Sequence, residues 1–354
     1  MKLAITADNH LTSQEKYPER FNAFENILTQ MLEMKIEHLI IAGDLFDASL
    51  RNYSEFEKVC KDSKYNQIQI YIIPGNHDED INDKWFTAKN VHIFTQPTIH
   101  RFNQQSPTFL FLPYEANMTM GKRVAEQIEN LPNGSWILIG HGDFSDRLRE
   151  GNAYESGVYM PLMRKDLQTY QPLKVFLGHI HIPTNIQTVY FTGSPCGLNI
   201  TEMGYRRFLV YDIETNDVDS IKVDTNIIYL DETLTILPVE DEKKYLRDKI
   251  MERISRWKIG EKDKAKVQIR LKVNGYSSNK KELMETIKST LEGYPLYAEP
   301  DLDEVNIAID STRSQIAMNV QKRIENLEWV NSSSEPEINK EQILLAALKT
   351  IFER

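Results

Sequence analysis

The sequence predicts an α/β (α+β) protein with two parts, and three observations support this. Apolar, β-rich runs alternate with helical periodicity over the first 225 residues. Polar residues follow several of these runs, at the strand ends where ligands bind in α/β sheets. From about residue 226 the chain becomes more charged and loses these polar motifs. A length of 354 residues suits two domains.

The first part, expected at 1–225, contains the strongest strand and helix patterns. Strands are predicted at 2–7, 38–42, 68–73, 107–112, 135–140, 173–177, 188–192 and 207–212. Helices are predicted at 18–34, 53–62 and 120–130. The first helix has Pro18 where a helix begins. Its apolar face is formed by Phe21, Phe24, Leu28 and Met31.

The second part is predicted to be a small α+β domain at 226–312, followed by helices in 313–354. Its elements are a helix at 241–257, a strand at 264–273, a helix at 279–291, a strand at 305–309 and helices at 313–327 and 338–353. A linker is expected at 331–336. The apolar face of the last helix suits either a partner groove or packing on its own domain, and both readings remain open.

Composition excludes some classes of protein. The net charge of −10 disfavours binding of nucleic acid through a broad basic surface, although bound divalent cations would reverse the local field at a nuclease site. No apolar run approaches the length of a membrane span, and no signal peptide is expected. Cys60 and Cys196 stand far apart, which disfavours a disulfide framework or a zinc ribbon. We therefore expect a cytoplasmic protein without membrane contact.

Five short motifs follow predicted strands and combine carboxylate, amide and imidazole groups. They are Asp8-Asn9-His10, Gly43-Asp44-Leu45-Phe46-Asp47, Gly75-Asn76-His77-Asp78, Gly140-His141 and Gly178-His179-Ile180-His181. Taken singly, most are more typical of turns, helix caps or surface histidines. Together they contain five of the eight histidines. The other three, His38, His92 and His100, are interpreted as structural or surface residues.

The residue types suggest metal chemistry. The carboxylate of Asp44 has enough lone pairs to bridge two cations, and Asn76 offers a neutral oxygen ligand. His77 is a candidate proton donor or charge stabiliser, and Asp78 is a candidate to orient its ring. Imidazole suits zinc, iron and copper, whereas carboxylate suits manganese or magnesium.

In this order, the five motifs resemble the calcineurin-like metallophosphoesterase superfamily over about residues 1–212. The resemblance implies a two-sheet β-sandwich flanked by helices and two adjacent divalent metal ions. It implies one ion held by Asp8, His10, Asp44 and His181, and a second held by Asp44, Asn76, His141 and His179. His77 matches the non-ligand catalytic histidine beside the leaving group, followed by Asp78.

Within the superfamily the chain is most similar to SbcD-type DNA repair exonuclease subunits. This rests on Tyr17-Pro18-Glu19-Arg20-Phe21, on Phe191-Thr192-Gly193-Ser194-Pro195 and on the α+β part, which would be a capping domain. The resemblance implies a manganese-dependent DNA nuclease that works with an SMC-like (SbcC-type) ATPase, with a homodimer as a further expected assembly. A phosphatase or small-nucleotide phosphodiesterase, and an inactive binding scaffold, are the alternatives.

Overall fold

The computed structural model describes residues 1–48, 51–145, 157–308, 311–327 and 340–353. The chain divides into two compact units. The first comprises Met1–Leu198 and Tyr205–Ile227, and the second comprises Asn199–Gly204 and Ile228–Arg354. The short segment Asn199–Gly204 therefore belongs with the later residues, although it lies inside the range expected for the first domain.

The first unit contains two layers of strands and four helices among its described residues. Its strands are β1 (Lys2–Thr6), β2 (His38–Ala42), β3 (Gln69–Ile73), β4 (Val91–Ile93), β5 (Thr98–His100), β6 (Thr108–Phe111), β7 (Trp136–His141), β8 (Phe144–Ser145), β9 (Leu162–Met163), β10 (Lys174–Gly178), β11 (Thr184–Ile186), β12 (Val189–Phe191), β13 (Arg207–Asp212) and β14 (Asp217–Lys222). Its helices are α1 (Pro18–Glu33), α2 (Tyr53–Lys61), α3 (Met120–Gln127) and α4 (Arg164–Tyr170).

Twelve of these strands form two six-stranded sheets, in the orders β14-β13-β1-β2-β3-β4 and β11-β12-β10-β7-β6-β5, and β8 pairs with β9. Successive side chains of a strand point to opposite faces. Accordingly, Leu3 and Ile5 lie in the core between the sheets, with Phe109 and Ile137 from the other sheet. Ala4 belongs to the core beneath α1 and α2. A third core packs α3 on the outer face of the second sheet. The predicted sandwich flanked by helices is confirmed.

Helix α1 shows how local sequence produces this layering. It has Pro18 in its first turn, and its buried face includes the expected Phe21, Phe24, Leu28 and Met31. Because these side chains recur at helical spacing, they reach one stripe of the sheet. Helix α2 is capped by Asn52, whose side chain accepts a hydrogen bond from the Glu55 N–H.

The three histidines outside the motifs surround one aromatic side chain. The rings of His92 and His100 lie 5.0 and 5.3 Å from that of Tyr71, centroid to centroid. Nδ1 of His38 lies 3.5 Å from the Tyr71 hydroxyl. His38 begins β2, whereas the Gly43 motif follows its other end. These contacts agree with the interpretation of the three histidines as structural or surface residues.

The second unit contains a parallel sheet in the order β15-β16-β17. Its elements are β15 (Ile228–Ile236), α5 (Glu242–Trp257), β16 (Val267–Ser277), α6 (Lys280–Thr290), β17 (Val305–Ile307), α7 (Ser311–Asn326) and α8 (Lys340–Phe352). Strand β15 was not expected, because Asp231 and Glu232 interrupt its apolar pattern. Asp231 pairs in register with Arg270 of β16, and the two side chains form a salt bridge.

Helix α8 packs within its own unit. Leu344 and Leu348 are buried in a core that also contains Tyr276, Ala317 and Ile324. The structure therefore supports the packing alternative for this apolar face, which was also considered as a partner-docking face. The expected linker at 331–336 lies outside the described residues. In the part of the chain that the structure describes, no helix combines the length and apolar character needed to cross a membrane.

Candidate metal centre

The five motifs meet where β1, β2, β3, β7 and β10 end. Glycine permits the close approach of their loops. A Cβ on Gly43 would lie 2.1 Å from Nδ1 of His141, and Gly43 also has φ +90°. A Cβ on Gly75 would lie 2.1 Å from Oδ1 of Asp44. Both distances are far below van der Waals contact, so these two positions require glycine while Asp44 and His141 stay in place.

Four of the predicted ligands have a left-handed backbone conformation. The φ angles are 53° at Asp8, 44° at His10, 50° at Asp44 and 90° at His179. Such conformations cost about 1–3 kcal/mol each in residues other than glycine, and they cluster at functional sites. Backbone hydrogen bonds hold two of them, from Asp8 N to Gly43 O at 3.1 Å and from His10 N to Asp44 O at 3.0 Å.

One ligand group contains Asp8, His10 and His181, whose candidate donor atoms all lie within 4.8 Å of one another. Nε2 of His10 lies 3.2 Å from Nε2 of His181. Oδ1 of Asp8 accepts a hydrogen bond from the His179 N–H at 2.8 Å. Oδ2 of Asp8 is buried and accepts no hydrogen bond among the described residues. A buried carboxylate oxygen without a hydrogen-bond donor is a suitable ligand for a cation.

A second ligand group centres on Oδ1 of Asn76. This oxygen lies 2.9 Å from Nε2 of His141 and 3.2 Å from Nδ1 of His179. Nδ1 of His141 lies 2.9 Å from Ala42 O. Since a carbonyl can only accept, Nδ1 of His141 carries the proton and its Nε2 is directed toward Asn76.

Asp44 lies between the two groups. Its Oδ2 is 3.7 Å from Nε2 of His10 and 3.3 Å from Nε2 of His141. Its Oδ1 accepts a hydrogen bond from the His77 N–H at 2.9 Å. The carboxylate is buried, and Oδ2 has no hydrogen-bond partner among the described residues. One oxygen is therefore fixed to the loop, and the other faces both groups.

Burial and mutual charge perturb the pKa values of these residues. Burial raises the pKa of Asp8 to about 6. Burial also lowers the pKa of His10 to about 3. At His141 burial opposes protonation, but Asp44 outweighs it and raises the pKa to about 10. At Asp44 burial opposes ionisation, yet His141 holds the pKa well below its usual range. Buried carboxylates require an adjacent positive charge, and a divalent cation meets that requirement.

In the loop Gly75-Asn76-His77-Asp78, the contacts of Asp78 differ from those expected. Its Oδ1 accepts a hydrogen bond from the Gly75 N–H at 2.7 Å, and its Oδ2 accepts one from the Phe46 N–H at 3.1 Å. Asp78 thus joins two motif loops through their backbones instead of orienting the ring of His77. His77 is partly exposed, and its ring lies edge-on to that of His10 at 4.7 Å. Its ring also lies close enough to His10 and Asp44 to form a third donor group.

Sequence reasoning missed several residues around the centre. Arg20 of α1 is buried and donates to His10 O at 2.6 Å and to Oδ2 of Asp47 at 3.2 Å. Asp47 ends the Gly43 motif, and its Oδ2 lies 4.0 Å from Nδ1 of His10. Asp143 follows His141 by two residues, and its Oδ1 lies 3.7 Å from Nε2 of His179. For Asp143 the only sequence signal is this proximity to a motif.

Comparison with known families agrees with this geometry. The sequence model of the Calcineurin-like phosphoesterase family matches residues 1–212. The chain belongs to that family, as the motif order predicted.

Individual relatives are more distant. The chain is 29% identical over 93 residues to the DNA double-strand break repair protein Mre11 of Methanosarcina acetivorans and to that of Methanosarcina mazei. The match covers 24% of this chain and 15% of each relative. Among solved structures, the chain is similar to the Pseudomonas putida nuclease MPE, with 16% identity and a TM-score of 0.28. That match covers 58% of this chain and 82% of the nuclease.

Proposed function

We propose that the chain is a two-metal phosphodiesterase that cleaves DNA. The observation that carries the proposal is the position of Asp44, whose Oδ2 faces His10 of one ligand group and His141 of the other. A shared carboxylate of this kind suits two adjacent cations. Asp8, His10, Asp44 and His181 would hold one ion. Asp44, Asn76, His141 and His179 would hold the other.

The cations would supply charge stabilisation at the phosphoryl oxygens and a water of lowered pKa. The protein's own contribution is preorganisation, because backbone hydrogen bonds and buried contacts fix the ligands before substrate binds. His77 is assigned a separate role. Its backbone N–H donates to Asp44, and its ring, which is partly exposed, would stabilise the phosphate or protonate the leaving alkoxide.

The choice of DNA as substrate has two supports. One is the match to two proteins named for DNA double-strand break repair. The other is the similarity of the motif-flanking segments to SbcD-type nucleases. The net charge of −10 means that the cations or a partner would have to attract the phosphate backbone. We extend the proposal to manganese as the native metal, a cytoplasmic location and a role in DNA repair with an SMC-like ATPase partner. A homodimer is proposed as the assembly.

For the remainder of the chain we propose that residues 226–312 cap the catalytic domain at 1–225 and shape DNA access, with 313–354 as a helical extension. A gene for a long coiled-coil ATPase next to the gene for this chain would support the partnership. Loss of DNA cleavage, with phosphoester cleavage of a small substrate retained, is expected when residues 226–354 are removed.

The decisive experiment supplies three substrates to the purified protein with manganese: linear DNA, a phosphomonoester and a cyclic nucleotide. We expect cleavage of DNA above the other two, and loss of that cleavage after chelation. Preferred turnover of the monoester or the cyclic nucleotide would establish the phosphatase or small-nucleotide alternative. No turnover of any substrate by protein with two ions bound would indicate an inactive scaffold.

A further inference from the structure

A buried carboxylate that has no part in the proposed ligand set lies beside the second group. Asp143 is 2% exposed. Its Oδ1 lies 3.7 Å from Nε2 of His179. Its Oδ2 accepts a hydrogen bond from the Tyr159 N–H at 2.6 Å. The carboxylate therefore joins the Tyr159 backbone on one side to an imidazole edge on the other.

The backbone around Asp143 is fixed as firmly as its side chain. Its N–H donates to Tyr159 O at 2.8 Å, and its own carbonyl accepts from the Leu162 N–H at 2.8 Å. The adjoining strands β8 and β9 pair with each other in parallel register. Since both the backbone and one carboxylate oxygen are held, the position of Oδ1 beside His179 follows from the fold.

The imidazole of His179 is contacted on three sides. The ring of Tyr159 lies over it, with centroids 4.7 Å apart and planes inclined by 42°. Asp143 faces Nε2, and Oδ1 of Asn76 lies 3.2 Å from Nδ1. The two ring nitrogens are therefore directed to different partners, Nδ1 to the ligand group and Nε2 to the carboxylate.

We propose that Asp143 is a positioning residue that holds His179 as its Nε2–H tautomer, so that Nδ1 presents its lone pair to the second cation. Oδ1 of Asn76 and the Asp143 carboxylate both only accept hydrogen bonds, so the ring proton is shared between two candidate positions until a cation binds. A cation held by Asn76 and by Nδ1 leaves Nε2, which faces the carboxylate, to carry the proton. A neutral imidazole has one such proton, which leaves Nδ1 as the acceptor. Carboxylates that orient metal-bound histidines raise metal affinity in this way. The inference rests on the proposed function, because it takes His179 as a metal ligand.

The test is Asp143→Asn. The side-chain amide keeps one oxygen to accept from the Tyr159 N–H, so its NH₂ group turns toward Nε2 of His179. That nitrogen must then accept, and the ring proton moves to Nδ1. Nitrogen-15 NMR of the histidine side chains at pH 8, in protein loaded with the diamagnetic ion zinc, should show Nδ1 of His179 ligated in the wild type and protonated in Asp143→Asn. Calorimetric titration with manganese should show about 10–100-fold weaker binding of one ion, with the other unchanged.

Asp166→Asn is the matched control. Oδ2 of Asp166 accepts a hydrogen bond from the Met163 N–H at 2.9 Å, so this variant alters a carboxylate–backbone contact in the same unit. We expect wild-type manganese affinity and an unchanged His179 tautomer. Equal weakening of manganese binding in both variants would overturn the proposal, because it would reduce the effect of Asp143 to general loop stability.

Two further measurements keep the outcomes separate. If His179→Ala still binds two ions, the proposed ligand set itself is wrong. If that variant loses one ion while Asp143→Asn binds both normally, the ligand set stands and the positioning role is refuted. Should Asp143→Asn fail to fold, the wild-type spectrum still decides, because an Nδ1–H tautomer of His179 there would overturn the proposal.

Discussion

Substitution of Gly43 by alanine should destabilise the first unit through two separable effects. The first is its left-handed backbone, at φ +90°, which costs a side-chain-bearing residue about 1–2 kcal/mol. The second is the new Cβ, 2.1 Å from Nδ1 of His141, which forces that ring to move. Overpacking of this kind costs about 1–3 kcal/mol. We expect a total loss of about 2–5 kcal/mol in the free energy of unfolding.

Two other glycines isolate the two effects. Gly134 has φ +62°, and nothing lies within 4 Å of a Cβ built there, so Gly134→Ala has only the backbone cost. Gly75 has an ordinary φ, but its Cβ would lie 2.1 Å from Oδ1 of Asp44, so Gly75→Ala has only the steric cost. The loss for Gly43→Ala should approach the sum of the other two.

The assay is urea denaturation of the metal-free proteins, followed by near-ultraviolet circular dichroism and linear extrapolation. Manganese titration of the same variants should show impaired binding for Gly43→Ala and Gly75→Ala, and normal binding for Gly134→Ala. A Gly43→Ala protein no less stable than Gly134→Ala would refute the argument that the loops meet as tightly as the structure indicates.

Three further predictions concern charge and protonation. Asp44→Ala should lose both bound ions, because one carboxylate serves both groups, and two-ion occupancy by elemental analysis would contradict the bridge. His77→Ala should retain both ions and lose most DNA cleavage, whereas near-normal turnover would remove its assigned role. Burial lowers the pKa values of His38, His92 and His100 below that of unfolded histidine, so folding disfavours their protonation and stability should fall as pH drops below about 6.5. His100→Phe should flatten this dependence in urea titrations from pH 8 to 5.5, and an unchanged slope would contradict it.

The sandwich and the meeting of the motifs were predictable because both depend on short-range patterns. Alternating apolar residues place the strands, and polar residues directly after Ala42 and Ile73 mark the strand ends. Strand β15 was not predicted because Asp231 interrupts the alternation of apolar and polar residues along it. Its charge is matched by Arg270, which a local pattern cannot reveal.

The surroundings of the centre were harder to predict. The spacing of Asp78 and His77 suggested a contact between neighbours, but the carboxylate instead reaches the backbone of Phe46, far away in sequence. The position of Asp143 depends on backbone pairing with Tyr159, a residue distant in sequence, which no local pattern predicts. The predicted ligands thus lie in short motifs, whereas the side chains around them are brought there by the tertiary fold.

The predicted ligands come from both layers of the sandwich. Asp8, Asp44 and Asn76 follow strands of one sheet, and His141 and His179 end or follow strands of the other. Ions bound between these residues would cross-link the two sheets at one edge of the core. Sliding of one sheet over the other would then open both sites together. By mass action, ions at one hundred times their dissociation constant would raise the free energy of unfolding by about 2.7 kcal/mol per site. Conversely, a cavity made deep between the sheets, at Phe109 for example, would weaken ion binding without touching a ligand.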